Sequence, residues 1–192
     1  MPRPEITELE LIRWSEALAG IARTGLGFTE SLYERERYEE VLKVAVGAVV
    51  GNDAGELLLI QRGDSGVWLY PTGWADIGYS PAEVAVKEVE EETGILAEPI
   101  RVIGILDGQR FGSRGMPFYS LVFHLRAVGG ELDPHPLEAR AVGWFAEDAL
   151  PEPLAGGDRW KAMAFAALRG EDLPVFYDQP RPETWRGGRP AG

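Results

Sequence analysis

A mixed α/β fold is what this sequence predicts, and three observations carry it. The first is a run rich in β-branched residues, Val44, Ala45, Val46, Ala48, Val49 and Val50, closed by the turn Gly51-Asn-Asp-Ala-Gly55. The second is a capped amphipathic helix from Ser80 to Thr93, and the third is a return to strand-like runs after it. In a chain of 192 residues this fits one domain with a single good core and a small appendage. Periodicity alone leaves α/β and α+β both open.

Residues 6 to 23 place Leu11, Trp14, Leu18, Ile21 and Ala22 at helical spacing, with Gly25 as a stop. A second helix is expected from Ser31, where Ser31 and Glu34 form a capping box ahead of Tyr38 and Val41. From Lys43 the period changes, and Glu56 to Arg62 completes a hairpin with the preceding run. After the central helix, strands are expected at Ile100 to Leu106, Phe118 to Arg126 and Ala139 to Phe145, then a helix from Asp158 to Leu168. Pro180 and Pro182 mark the end of the folded part. The expected organisation is therefore a helical extension at 1–40, the main domain at 41–178 and a flexible tail at 179–192.

The central helix has its boundaries written locally. Ser80 and Glu83 form a capping box, Pro81 takes the first helical position, where its missing N–H costs nothing, and Gly94 suits a left-handed stop. Ala82, Ala85, Val86, Val89 and Thr93 share one side, and Glu88, Glu91 and Glu92 cluster on another. Carboxylates at i, i+3 and i+4 repel by roughly 0.2–0.5 kcal/mol per pair, so something positive is expected among them. Hard oxygen donors at this spacing suit Mg²⁺ or Mn²⁺. In isolation the same run reads as a solvated acidic face.

The segment from Gly73 to Ile95 resembles the signature of the Nudix family, G-x5-E-x7-R-E-U-x-E-E-x-G-U, with U aliphatic. Seven of its nine specified positions match in register: Gly73, Glu88, Val89, Glu91, Glu92, Gly94 and Ile95. Tyr79 stands where the family has Glu, and Lys87 where it has Arg. The stretch Ile21 to Glu40 also resembles the helical N-terminal extension of a subgroup that includes pyrophosphatases of ADP-ribose or CDP-choline and commonly dimerises.

The resemblance implies an α/β/α sandwich with a mixed sheet and a metal-dependent hydrolase of nucleotide phosphoanhydrides. By the same resemblance Glu88 and Glu92 are metal ligands, Glu91 is a third ligand or orients the water, and the backbone at Gly73 shapes the cleft and adds a carbonyl ligand. Glu138 stands where some members carry a late general base; the alternative is a surface ion pair with a nearby arginine. Tyr79 is no anionic ligand at neutral pH, and Lys87 is a point donor without the bidentate fork of Arg. Together they are expected to keep helix and loop in place while removing one possible metal ligand.

Arg62 at a strand end, and Arg110 and Arg114 in the Gly-rich loop Asp107 to Met116, are candidate phosphate binders. Trp74, with Trp68, Tyr70 and Phe111, is a candidate to stack on a nucleobase, against an ordinary place in the core or at a dimer contact. His124 and His135 have no metal-site spacing and receive no role. Three readings stand: a pyrophosphatase of nucleoside diphosphates linked to a further group, a (d)NTP phosphohydrolase releasing phosphate, and a nucleotide-binding sensor that lost turnover.

Composition bounds the rest. A net charge of −12 argues against general affinity for nucleic acid, so a polyanionic substrate has to be met locally by metal and a few arginines. No apolar run approaches bilayer length, and the acidic start MPRPEITELE is not a secretory signal. The lack of cysteine excludes thiol chemistry and is compatible with a cytoplasmic location. The expected assembly is a homodimer through the N-terminal extension.

Overall fold

The computed structural model describes residues 43–76, 78–111, 118–156 and 159–180. The two expected N-terminal helices, the dimerising role given to residues 1–40 and nearly all of the expected tail lie outside these residues.

The described chain runs β1 (Lys43–Gly51), β2 (Leu57–Arg62), β3 (Trp68–Leu69), β4 (Thr72–Trp74), α1 (Pro81–Thr93), β5 (Ile95–Asp107), a 3₁₀ turn (Gly108–Phe111), β6 (Phe118–Gly130), β7 (Ala139–Phe145), α2 (Arg159–Leu168) and β8 (Phe176–Tyr177). The strands form one mixed sheet in the order β3-β2-β1-β6-β5-β8, with β4 on β1 and β7 on β2. β1 lies parallel to β6 along its whole length, from Lys43 opposite Phe118 to Gly51 opposite Arg126.

Side-chain alternation along the strands sorts the apolar residues to two faces. Val46, Ala48, Val50 and Leu58 pack with Val84, Ala85 and Val89 of α1. Val49, Leu57 and Leu59 point the other way and pack with Trp160, Ala164 and Phe165 of α2. One helix per face gives the α/β/α layering. Among the described residues no helix is long and apolar enough to cross a membrane.

Helix α1 starts and stops as its sequence specifies. Ser80 N–H donates to Glu83 Oε2 at 2.6 Å, and Glu83 N–H donates to Ser80 Oγ at 3.3 Å. Gly94 takes φ 73°, and its N–H donates to Glu90 O at 2.8 Å. The β1–β2 hairpin forms, but it pairs only near its turn, with Gly51 opposite Leu57. Beyond the turn the strands part: β1 takes β4 as neighbour and β2 takes β3 and β7.

Two strands run longer than the sequence suggests. β5 begins at Ile95 rather than Ile100, directly after the helix stop, and absorbs Pro99 at a register shift between Pro99 and Arg101. β6 continues to Gly130 rather than Arg126, as its antiparallel partner.

Candidate active site

The site starts from β4, which β1 holds through Ala45–Trp74, Val46–Gly73 and Gly47–Thr72 pairing. Across from it, α1 carries Glu88 and Glu92 one turn apart. Thr72 N–H donates to Glu92 Oε2 at 2.9 Å, and Glu92 is only 3% exposed. The Glu88 carboxylate lies against Gly73, in the space a Cβ there would fill. Thr72 and Gly73 thus seat the two carboxylates side by side.

Both line a cavity of about 1040 Å³ that also takes in Arg62, Trp74, Phe118 and Glu138. Burial pushes the Glu92 carboxyl up to about 8, and Glu88 and Glu138 add to that while the Thr72 N–H and Arg62 oppose it. Burial also raises Glu88, with Lys87 opposing and Glu91, Glu138 and Asp76 reinforcing. Without a cation the pair is electrostatically poor, and the guanidinium that lines the cavity with it is already engaged. Arg62 binds Asp64 through Nε to Oδ1 at 3.1 Å and Nη2 to Oδ2 at 2.9 Å, which holds the Asp64 carboxyl well below the usual range.

The remaining expected site residues divide. Glu138 lines the cavity just before β7 and makes no ion pair among the described residues, while its backbone oxygen accepts from Gly63 N–H at 2.6 Å. Trp74 also lines the cavity, 48% exposed, with its ring edge-to-face on Phe118 at 5.3 Å. Glu91 does not reach the cavity; it faces a shallow hollow with Tyr79 and Lys87, 3.8 Å from Lys87 Nζ.

Arg110 is not brought to the cavity either. Its Nη1 donates to Gln179 O at 2.6 Å and its Nε lies 3.5 Å from Asp107, so it ties the 3₁₀ turn to the chain beside β8. Arg114 lies outside the described residues. Tyr70 belongs to the core, 4% exposed and edge-on to Trp160 at 5.1 Å, and Trp68 packs edge-on to Phe145 at 5.1 Å. His124 is half-buried in β6, and burial lowers its pKa.

Three contributors escape the sequence reading. Thr72 precedes the signature glycine, Asp64 follows Arg62 by two residues, and Asp76 receives Lys87 Nζ at 2.7 Å. The nearby acidic side chains were visible as residues. Their partners were not, because each pairing depends on how β4 and the loop after it meet the helix.

The donor set fits a hard divalent cation. Two half-buried to buried carboxylates with raised pKa values share a cleft with a third, and no lysine neutralises them inside it. Among the described residues no three His, Cys, Asp or Glu side chains already form a coordination sphere. An ion held by Glu88 and Glu92 would thus keep part of its shell as water or substrate oxygen, as Mg²⁺ characteristically does.

A family model of the NUDIX domain matches residues 41–166, which spans the sheet, α1 and the cavity. The chain belongs to the Nudix family. It is a Nudix hydrolase, an enzyme of nucleotide phosphoanhydrides. Nudix hydrolases generally use divalent metals, typically Mg²⁺ or Mn²⁺.

Among its Nudix relatives, a Bacillus subtilis (strain 168) protein named as a candidate ADP-ribose pyrophosphatase, YjhB, is 27% identical, over 85% of this chain and 95% of its own. The crystal structure of an ADP-ribose pyrophosphatase from Streptococcus suis 89-1591 is 32% identical, covering 71% of this chain and 98% of that one with a TM-score of 0.60. A UDP-X diphosphatase structure covers 87% of this chain and 97% of its own with a TM-score of 0.62, and at 23% identity it speaks for the Nudix fold alone.

Proposed function

We propose that this hydrolase cleaves the phosphoanhydride of a nucleoside diphosphate linked to a further group, of ADP-ribose or CDP-choline type, with Mg²⁺ or Mn²⁺ held by Glu88 and Glu92. The observation that carries the reading is the convergence of these two carboxylates, Glu138 and Arg62 in one cavity of about 1040 Å³ that reaches the Trp74 ring. That volume is at the upper end of ordinary ligand sites, about 300–1000 Å³, and leaves room for groups on both sides of a diphosphate. The activities named for YjhB and the Streptococcus suis enzyme support the same substrate class.

When bound, the cation neutralises phosphate oxygens and eases deprotonation of water. The chain's own groups do the rest. Glu88 and Glu92 hold the cation, fixed by Gly73 and the Thr72 N–H. Glu138, close enough to both for its charge to raise them, takes the proton from the attacking water. Arg62 has two of its nitrogens on Asp64 and leaves Nη1 for a phosphate oxygen. Trp74, braced by Phe118, offers a flat face to a base.

The test is a product-resolved screen with Mg²⁺ and Mn²⁺ against ADP-ribose, CDP-choline and the common (d)NTPs, beside Glu92→Gln. A nucleoside monophosphate plus a second phosphorylated product, abolished in the variant, is expected. Orthophosphate from a (d)NTP as the main product would overturn the substrate class. Nucleotide binding without turnover on any substrate would overturn the catalytic reading.

A further inference from the structure

Lys87 and Tyr79 stand where the family signature has Arg and Glu, so position 79 offers no acidic group for the cation at position 87 to meet. The structure supplies one elsewhere. Lys87 Nζ lies 2.7 Å from Asp76 Oδ2, reaches Glu91 Oε2 at 3.8 Å, and sits 5.8 Å from the centroid of the Tyr79 ring. Asp76 is one turn earlier in the same loop, and Tyr79 N–H closes that turn on Asp76 O at 3.4 Å. The carboxylate has moved back by one turn, and an aromatic face covers the position it left.

The location of this contact gives it a consequence. Asp76 lies in the loop that joins β4 to α1, and the neighbouring Ala75 N–H donates to Val44 O at 2.9 Å, so the loop is anchored to β1. Lys87 directly precedes Glu88 on the helix. Tying Lys87 to Asp76 therefore fixes the rotation of α1 against the strand on which the Glu88 carboxylate rests. An exposed ion pair contributes little to overall stability. Its effect falls on how closely the helix and Gly73 are held.

We infer that Asp76 is a positioning residue that replaces the missing acidic group of the signature and, through Lys87, sets Glu88 for metal binding. The inference rests on the reading of Glu88 and Glu92 as metal ligands. It separates from a plain charge effect by sign. If charge alone mattered, removing the positive charge of Lys87 would tighten cation binding, whereas a brace loosens it whichever end is cut.

The experiment is Mn²⁺ titration of the full chain, followed by the bound-metal spectrum, for native protein, Asp76→Asn, Lys87→Met, the double variant and Lys87→Arg. Each single change should weaken Mn²⁺ binding about tenfold, the usual size for outer-shell partners. The double variant should be no weaker than either single one, and Lys87→Arg should stay within about twofold of native. Melting of the metal-free chain should hardly move. Tighter binding in Lys87→Met, or losses that multiply in the double variant, would overturn the brace. Glu92→Gln run alongside separates the two readings. Binding lost there but kept in Asp76→Asn overturns the brace only, and binding kept in Glu92→Gln overturns the metal site beneath it.

Discussion

The Glu88 carboxylate occupies the space in which residue 73 would carry a Cβ, so the glycine and the glutamate are parts of one contact. Gly73→Ala is expected to displace Glu88. Its carboxylate is the far end of a flexible side chain, so the displacement should cost little stability, below about 1 kcal/mol. Mn²⁺ affinity should nonetheless fall on the order of tenfold. Parallel melting and Mn²⁺ titration check this, and native affinity in the variant would show that Glu88 is not held in place by the glycine.

Glu92 predicts how metal-free stability varies with pH. Its carboxyl is raised from 4.5 to about 8 in the folded chain, mainly by burial. Between those values the folded state keeps a proton that the unfolded state has released, so stability falls as pH rises through the window. Saturating Mg²⁺ takes the place of that proton and should reverse the trend at its upper end. Glu92→Gln should flatten it. Thermal melts from about pH 5 to 9 in chelator and in Mg²⁺ give the answer, and a metal-free profile that rises with pH across this range contradicts the burial argument.

Glu138 and Glu91 can be told apart by the way each fails. Glu138 faces the cavity, so Glu138→Gln should lower kcat by about 100-fold or more while leaving Mn²⁺ binding nearly native. Glu91 faces Lys87 on the outer side of α1, and Glu91→Gln should have a much smaller effect on kcat. The reverse order in steady-state kinetics would move the general base onto the helix.

Trp160 connects the core to the cavity wall. It is fully buried, and its Nε1–H donates to Ala155 O at 2.7 Å, while Ala155 and Gly156 line the cavity. Trp160→Phe leaves that carbonyl unpaired and a gap behind it, at a cost of about 1–3 kcal/mol. A Tm lower by roughly 3–10 °C is expected. Since the wall loosens too, KM should rise more than kcat falls. A variant with native Tm and raised KM would assign Trp160 to the site alone.

Where the signal was local, the sequence was enough. Helix α1 carries its cap, its proline and its stop glycine within one stretch, and each is found in place, while its buried face also takes in Val84 and Glu92, which the apolar stripe left out. β7 likewise runs from Ala139 to Phe145 as its pattern suggests. β3, β4 and β8 were illegible because strands of two or three residues have no period; partners distant in the chain define them. The contacts of Arg110 were illegible for the same reason. A Gly-rich loop suggested phosphate binding, but its guanidinium meets Gln179, 69 positions away. In the site, the helix glutamates could be named from the resemblance to the family signature, whereas the Thr72 N–H that holds Glu92 comes from a contact 20 positions apart.

The parallel pairing of β1 with β6 also bears on synthesis. A strand at the centre of the sheet finishes at Gly51, yet the neighbour that covers its full length is complete only at Gly130. At about 5–20 residues per second, the ribosome leaves Ala45 to Val50 without that neighbour for on the order of ten seconds. During that interval a strand that is almost wholly apolar has only its turn with β2 and the short β4 to pair with, so one of its edges stays open to other chains until β6 emerges.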